Sequence, residues 1–121
     1  MRDDILDDDW VRFSKDGVWS ILTCKASSLD ESFALQVRRS SALLDVVHQT
    51  YRLVVDLKQV VVASSSGIAL LVEVFQAMPP GARLYVLHAN VEISGLLRDT
   101  GLEQLFPMVE HMHDLPMQKG T

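Results

Sequence analysis

Residues 60–75 read VVVASSSGIALLVEVF, an apolar run that is interrupted by three serines and a glycine. Residues 60–63 have the composition of an extended strand. Residues 67–78 carry only two polar side chains, Glu73 and Gln76, and therefore predict a buried helix. Because burying a hydroxyl without a partner costs roughly 1–3 kcal/mol, we expect the serines to lie where the strand ends and the helix begins.

The rest of the chain alternates between strand-like and helix-like segments. Lys-Asp-Gly at 15–17 separates two β-type runs and predicts a hairpin. Ser-Leu-Asp-Glu at 28–31 matches a helix capping box. Asn90 is predicted to cap a later helix, with Gly101 as its C′ residue. The predicted strands are 10–13, 18–23, 51–57 and 82–88, the predicted helices are 31–48, 66–78 and 91–100, and 102–109 is predicted as a loop with a short edge strand.

This order of elements predicts the fold class. Strand–helix–strand alternation implies parallel pairing through right-handed crossovers, and the opening hairpin adds an antiparallel part. We therefore predict an α/β fold: a mixed sheet of four or five strands covered by three or four α-helices. In such sheets, ligands bind and reactions take place at the carboxyl ends of the strands. The serines are predicted to lie at such an end.

Length and composition predict one domain in a chain of 121 residues, 48% of them hydrophobic. We place that domain at 10–115, between an acidic mobile leader at 1–9, which carries five aspartates, and a polar tail at 116–121. The acidic beginning does not resemble a signal peptide, and no apolar run approaches the roughly 18 residues of a membrane span. These features predict a cytoplasmic protein without direct membrane insertion.

Charge and titratable residues argue against several functions. The formal net charge is −5, and the basic residues cluster only at Arg38-Arg39, so nucleic acid is not an expected partner. The single cysteine, Cys24, cannot form an internal disulfide and is predicted to be a core residue. His111 and His113 have no second ligand cluster, so a solvated tail is favoured over a metal site. We predict no metal and no cofactor.

Four uses of the serines can be compared. Ser64 or Ser65 could cap the helix, which explains one hydroxyl. A nucleotide loop has little support because no glycine-rich phosphate motif is present. A hydrolase is disfavoured because Ala63 stands where the nucleophile elbow needs glycine, and the histidines show no triad pattern; we predict no enzymatic activity. A serine that accepts phosphate fits the position, because a helix N-terminus favours a phosphoryl group. The residues alone leave capping and phosphorylation open.

Two stretches resemble one family. LVVDLKQVVVASSSGIALL at 53–71 is similar to the signature of the STAS domain, which occurs in sulfate transporter tails and anti-sigma factor antagonists. In that signature an apolar strand ends in Asp-Leu, and a serine-containing turn opens a buried helix. ARLYVLHANVEISGLLRDTGLEQLFPMV at 82–109 resembles the family's later strand and helix. The matching residues are Asp56, Leu57, Ser64, Ser65, Ser66, Gly67 and Ile68 in the first stretch and Thr100, Gly101, Leu102 and Phe106 in the second.

The resemblance, which covers about residues 10–115, implies a regulatory role. It makes Ser65 the phosphoacceptor and gives Asp56 a supporting role. The residue before the acceptor, usually aspartate in the family, is here Ser64. The resemblance places partner binding on the residues around the acceptor, namely Ser64, Ser66, Gly67 and Ile68.

The partners that the resemblance implies are an anti-sigma factor that is also a serine kinase, and a phosphatase. The unphosphorylated form would bind the anti-sigma factor and release the sigma factor. The alternative is a small cytoplasmic STAS subunit that braces the ATPase of an ABC-type lipid transporter, a role that does not require phosphorylation. Homodimer formation is left open.

Overall fold

The structure, a computed structural model, describes residues 2–116. This part of the chain contains eight strands and four α-helices. The strands are β1 (Arg2–Asp7), β2 (Val11–Asp16), β3 (Trp19–Cys24), β4 (Ser28–Leu29), β5 (Arg52–Asp56), β6 (Val62–Ala63), β7 (Arg83–Leu87) and β8 (Met108–Val109). The helices are α1 (Glu31–Arg38), α2 (Ser41–Val47), α3 (Ser65–Ala77) and α4 (Val91–Asp99).

The main sheet has six strands in the order β1-β2-β3-β5-β7-β8. The first three strands pair antiparallel, and β3, β5, β7 and β8 run parallel. A separate two-stranded parallel ladder joins β4 to β6. The predicted α/β class with a mixed sheet is confirmed, with slightly more strands than the four or five expected.

The two faces of the main sheet are covered differently. One row of paired residues, Phe13–Leu22–Val55–Val86, is buried with side chains from all four helices in the larger core. The opposite face forms a smaller cluster around residues such as Ile21 and Val54, which the chain after β8 covers with Leu115. Strand alternation explains this division, because successive side chains point to opposite faces.

The acidic N-terminal segment requires a correction, because residues 2–7 form edge strand β1 instead of a leader outside the sheet. Leu6 pairs with Phe13 and packs against the larger core. Lys25 donates to the Asp7 carboxylate over 2.8 Å, and this hydrogen bond lowers the pKa of Asp7. Charged residues on an edge strand hinder unwanted pairing with other chains. The predicted tail at 116–121 lies, apart from Pro116, outside the described residues.

The predicted helix at 31–48 is interrupted. It ends at Arg38 and restarts as α2, because the Ser40 hydroxyl accepts from the Leu43 N–H over 3.2 Å and caps a new helix. The predicted capping box is also wrong, since Ser28 belongs to β4. Asp30 caps α1 instead, accepting from the N–H of Phe33 over 3.0 Å.

The end of α4 agrees with the prediction. Gly101 follows the helix with a φ of +76°, the left-handed conformation that glycine adopts without strain. A short 3-10 turn and edge strand β8 follow, as predicted for 102–109. Thr100 donates its hydroxyl proton to the carbonyl of Leu96 over 2.9 Å, and Phe106 is fully buried.

Candidate functional site

The three serines, Ser64 to Ser66, are called the serine loop, and they form the capped N-terminus of α3. Ser64 is the N-cap of α3: the Gly67 N–H donates to its hydroxyl oxygen over 3.2 Å. The Ser64 N–H in turn donates to the Leu29 carbonyl over 2.9 Å. The sequence allowed either Ser64 or Ser65 to cap the helix, and in the structure Ser64 is the cap.

Ser65 is the first residue of α3 and is exposed, whereas Ser66 is half-buried. The first N–H groups of an α-helix have no partner within the helix, and the helix dipole places partial positive charge there. A phosphoryl group on the Ser65 hydroxyl would therefore lie in solvent at a position that stabilises anions. The arrangement is suited to carrying phosphate at little cost to the fold.

Gly67 lies against β4 at a distance that excludes a side chain. A Cβ atom at this position would be 1.8 Å from the Leu29 carbonyl oxygen. Both Gly67 and the following residue, Ile68, are buried. Direct contact of Gly67 and Ile68 with a partner stays a prediction. In the folded chain the exposed residues of the loop are Ser64 and Ser65, and Ser66 is half-buried.

Asp56 is the last residue of β5, at the carboxyl end of that strand. Its Oδ1 atom accepts from the Lys58 N–H over 3.0 Å, which forms the turn after the strand. The same Oδ1 atom lies 3.0 Å from Nδ1 of His88, the residue that follows β7. His88 has a φ of +62°, which is uncommon for a residue with a side chain. The Asp56 contact thus links the end of β5 to the residue that follows its neighbour β7.

A second contact connects the loop after β7 to the segment before the serines. Asn90 caps α4 by accepting from the Ile93 N–H over 2.9 Å, and its side-chain amide donates to the Val61 carbonyl over 2.8 Å. Apolar side chains are exposed on this side of the molecule, since Val61, Val62 and Val91 are 60%, 44% and 89% exposed. Such an apolar area is typical of a protein-interaction surface.

Cys24 is buried, and burial raises the pKa of its thiol to about 12, so it is a poor nucleophile. Among residues 2–116, no group of three or more histidine, cysteine or carboxylate side chains is placed to hold a metal ion. In the same part of the chain, no helix has the length and hydropathy needed to cross a bilayer.

The family comparison agrees with this architecture. The model of the STAS domain matches residues 18–115, which is most of the chain. The chain belongs to the STAS domain family. No curated protein sequence matches this STAS domain with significance.

Solved structures with the same fold include several anti-sigma factor antagonists. One from Mycobacterium paratuberculosis is 18% identical, has a TM-score of 0.71, and the match covers 86% of this chain and 87% of that one. A STAS domain protein from Planctomyces limnophilus is 14% identical, with a TM-score of 0.69 and coverage of 89% and 95%. SpoIIAA in its unphosphorylated form is 12% identical, with a TM-score of 0.62 and coverage of 86% and 91%. At these identities the similarity shows the fold of this STAS domain.

The sequence predicted the serines and Asp56 as site residues, but it did not predict the contact of His88, the hydrogen bond between Asn90 and Val61, or the exposure of Val91. The contact of His88 with Asp56 has no signal in the sequence, because the residues around a histidine do not predict that it will adopt a positive φ. The cap at Asn90 was predicted, whereas its hydrogen bond to Val61 was not. Val91 could have been noticed as an apolar residue at the first position of a helix, where this STAS domain exposes it.

Proposed function

We propose that this chain is an anti-sigma factor antagonist in a partner-switching system. In its unphosphorylated form it binds an anti-sigma factor that is also a serine kinase, and so releases a sigma factor. The kinase phosphorylates Ser65, which ends binding, and a phosphatase restores the unphosphorylated form. The protein acts in the cytoplasm and catalyses no reaction itself.

One observation carries the proposal: Ser65 is exposed at the first position of α3, and a different residue, Ser64, caps the helix. A serine used as the cap would lose its capping hydrogen bond when modified. Because Ser64 fills that role, the hydroxyl of Ser65 can accept phosphate while the cap remains.

The expected effect of phosphate differs between the isolated domain and the complex. The modification adds about −1.5 to −2 charges in solvent at a helix N-terminus, so the isolated fold should be retained. A partner seated over Ser65 would remove water from the dianion, with an effective penalty of several kcal/mol. Since 1.4 kcal/mol is a factor of ten in affinity, we expect at least about a hundredfold weakening.

Ser64 in place of the family's usual aspartate is compatible with this mechanism. Aspartate and serine are both good N-cap residues because each offers an oxygen to the first helical N–H groups. Serine makes this contact here without a negative charge beside the acceptor. Ser64→Asp should therefore keep the fold and leave partner binding largely intact.

The test combines calorimetry with the cognate kinase and a phosphorylation assay read by mass spectrometry. Ser65→Asp should weaken binding strongly, and Ser65→Ala should bind but resist regulation. Ser41 provides a matched control, because it is an exposed first residue of α2 behind a serine cap, Ser40. Ser41→Asp should bind like the wild type.

Two results would contradict the switch. Phosphate could appear on a residue other than Ser65, or Ser65→Asp could bind as tightly as the wild type. Either result would favour the alternative of a STAS subunit that braces the ATPase of an ABC-type lipid transporter, and neighbouring permease and ATPase genes would then be expected.

A further inference from the structure

A groove of about 300 Å³ runs along α4 beside β6. Ala63, which directly precedes the serine loop, lines one side. Val91, Gly95 and Asp99 line the other side, and because they are four residues apart they lie along a single stripe of the helix. The groove thus begins at the residue that precedes Ser64 in the chain.

The apolar part of this groove is open to solvent. Val91 is 89% exposed, the largest exposed fraction among the large exposed hydrophobic residues of the described chain. Leu96, which also lines the groove, is half-buried against the larger core. An exposed apolar strip at a functional edge is typical of a surface that a partner covers.

Gly95 has no role in the folding of the chain that the structure reveals. It lies inside α4, where glycine weakens a helix relative to alanine. No atom lies within 4 Å of the position that a Cβ atom would occupy, apart from the chain neighbours and the helix's own backbone. The missing side chain leaves space in the groove, which would allow a partner backbone to approach α4 closely.

The borders of the groove are acidic. Glu92 and Asp99 are exposed at the two ends of α4, and neither has a salt-bridge partner among the residues that the structure describes. Asp99 is the last residue of the helix, where the dipole disfavours negative charge. Its carboxylate therefore does not stabilise the helix. Together with the net charge of −5, these groups favour a basic partner and disfavour nucleic acid or an anionic membrane.

We propose that this groove docks an amphipathic helix of a protein partner. Its apolar ridge would lie along Val91, Gly95 and Leu96, and its flanking Lys or Arg side chains would face Glu92 and Asp99. Helix-in-groove binding combines an apolar ridge with charged flanks in this way. The inference rests on the proposed function, because it describes the partner that docks beside Ser65. It specifies the part of that partner that binds here, an amphipathic helix with basic flanks.

The probe is a pair of synthetic helical peptides of about five turns each, with the same leucine ridge and either lysine or glutamate flanks. Each is titrated into ¹⁵N-labelled protein at low ionic strength. We expect the lysine peptide to bind and to shift amide signals of α4 and β6, and the glutamate peptide to bind at least about tenfold more weakly.

Variants that remove charge test whether the peptide binds in this groove or is attracted only by the net charge of the protein. Glu92→Gln with Asp99→Asn should weaken the lysine peptide about tenfold at low salt. The control, Asp45→Asn with Glu110→Gln, removes the same charge from exposed positions outside the groove lining and should bind like the wild type. Gly95→Leu should fold normally, because the space above it is open, and should also lose about tenfold in affinity.

Several outcomes would overturn the proposal: no binding of the lysine peptide, amide shifts away from α4 and β6, or equal weakening by the control pair. The peptides report on the groove alone, whereas phosphorylation reports on Ser65. Groove binding without phosphorylation of Ser65 would refute the switch and keep the docking site. Phosphorylation of Ser65 with peptide binding unaffected by the groove variants would refute the docking site alone.

Discussion

Gly67→Ala tests the contact that joins the serine loop to the rest of the fold. The new Cβ atom would lie 1.8 Å from the Leu29 carbonyl oxygen and 2.3 Å from its carbon, whereas ordinary contact begins near 3.4 Å. For the new Cβ atom and the Leu29 oxygen to reach ordinary contact, 3.4 minus 1.8, α3 and β4 would have to separate by about 1.6 Å. The obstacle is backbone, so no side-chain rotation can relieve the clash.

The cost follows from the bonds at this point. The separation would break the hydrogen bond from Ser64 to Leu29 and disturb the pairing of Leu29 with Ala63. Overpacking costs about 1–3 kcal/mol, and a lost hydrogen bond adds about 0.5–1.5 kcal/mol. We expect Gly67→Ala to lower the free energy of unfolding by about 2–4 kcal/mol.

Urea denaturation followed by circular dichroism measures this change. Gly95→Ala is the matched control, because Gly95 is also inside a helix but has open space above it. That substitution should be neutral or should stabilise the protein by up to about 1 kcal/mol. A loss below about 1 kcal/mol for Gly67→Ala, with an unchanged m-value, would refute the close approach of α3 to β4.

Two further predictions concern the core. Leu71 is buried on α3, so Leu71→Ala should destabilise the protein by about 2–5 kcal/mol through lost contacts and a cavity, measured by urea denaturation; a loss below about 1 kcal/mol would mean that this face of α3 is not packed. Cys24 is buried with a thiol pKa raised to about 12, so iodoacetamide at pH 9 should modify the native protein far more slowly than the urea-unfolded protein; similar rates would contradict that burial.

Local sequence determined most of the elements and the position of the candidate site. Helix caps act within three or four residues, which is why Asn90 and one of the serines could be identified from the letters alone. The apolar composition on both sides of the serines predicted a strand followed by a buried helix. Asp56-Leu57 and the Ser-Gly turn also carried the family resemblance, because all these signals lie within one short stretch.

Some local signals competed, and packing selected between them. Ser28 and Asp30 both preceded α1 at capping distance, and only the pairing of β4 with β6 left Asp30 as the cap. Residues 2–7 looked like a charged leader, yet antiparallel pairing with β2 placed Leu6 against the core. Propensity alone does not report such pairing, because the partner strand lies elsewhere in the chain.

Only the tertiary structure decided what surrounds the serines. The need for glycine at position 67 comes from Leu29, 38 residues earlier, counted as 67 minus 29. The contact between Asp56 and His88 and the groove beside α4 likewise join segments that the chain brings together only on folding. Capping and periodicity act over a few residues and can be read from the sequence, whereas these contacts depend on distances between separate elements, which only the packed fold sets.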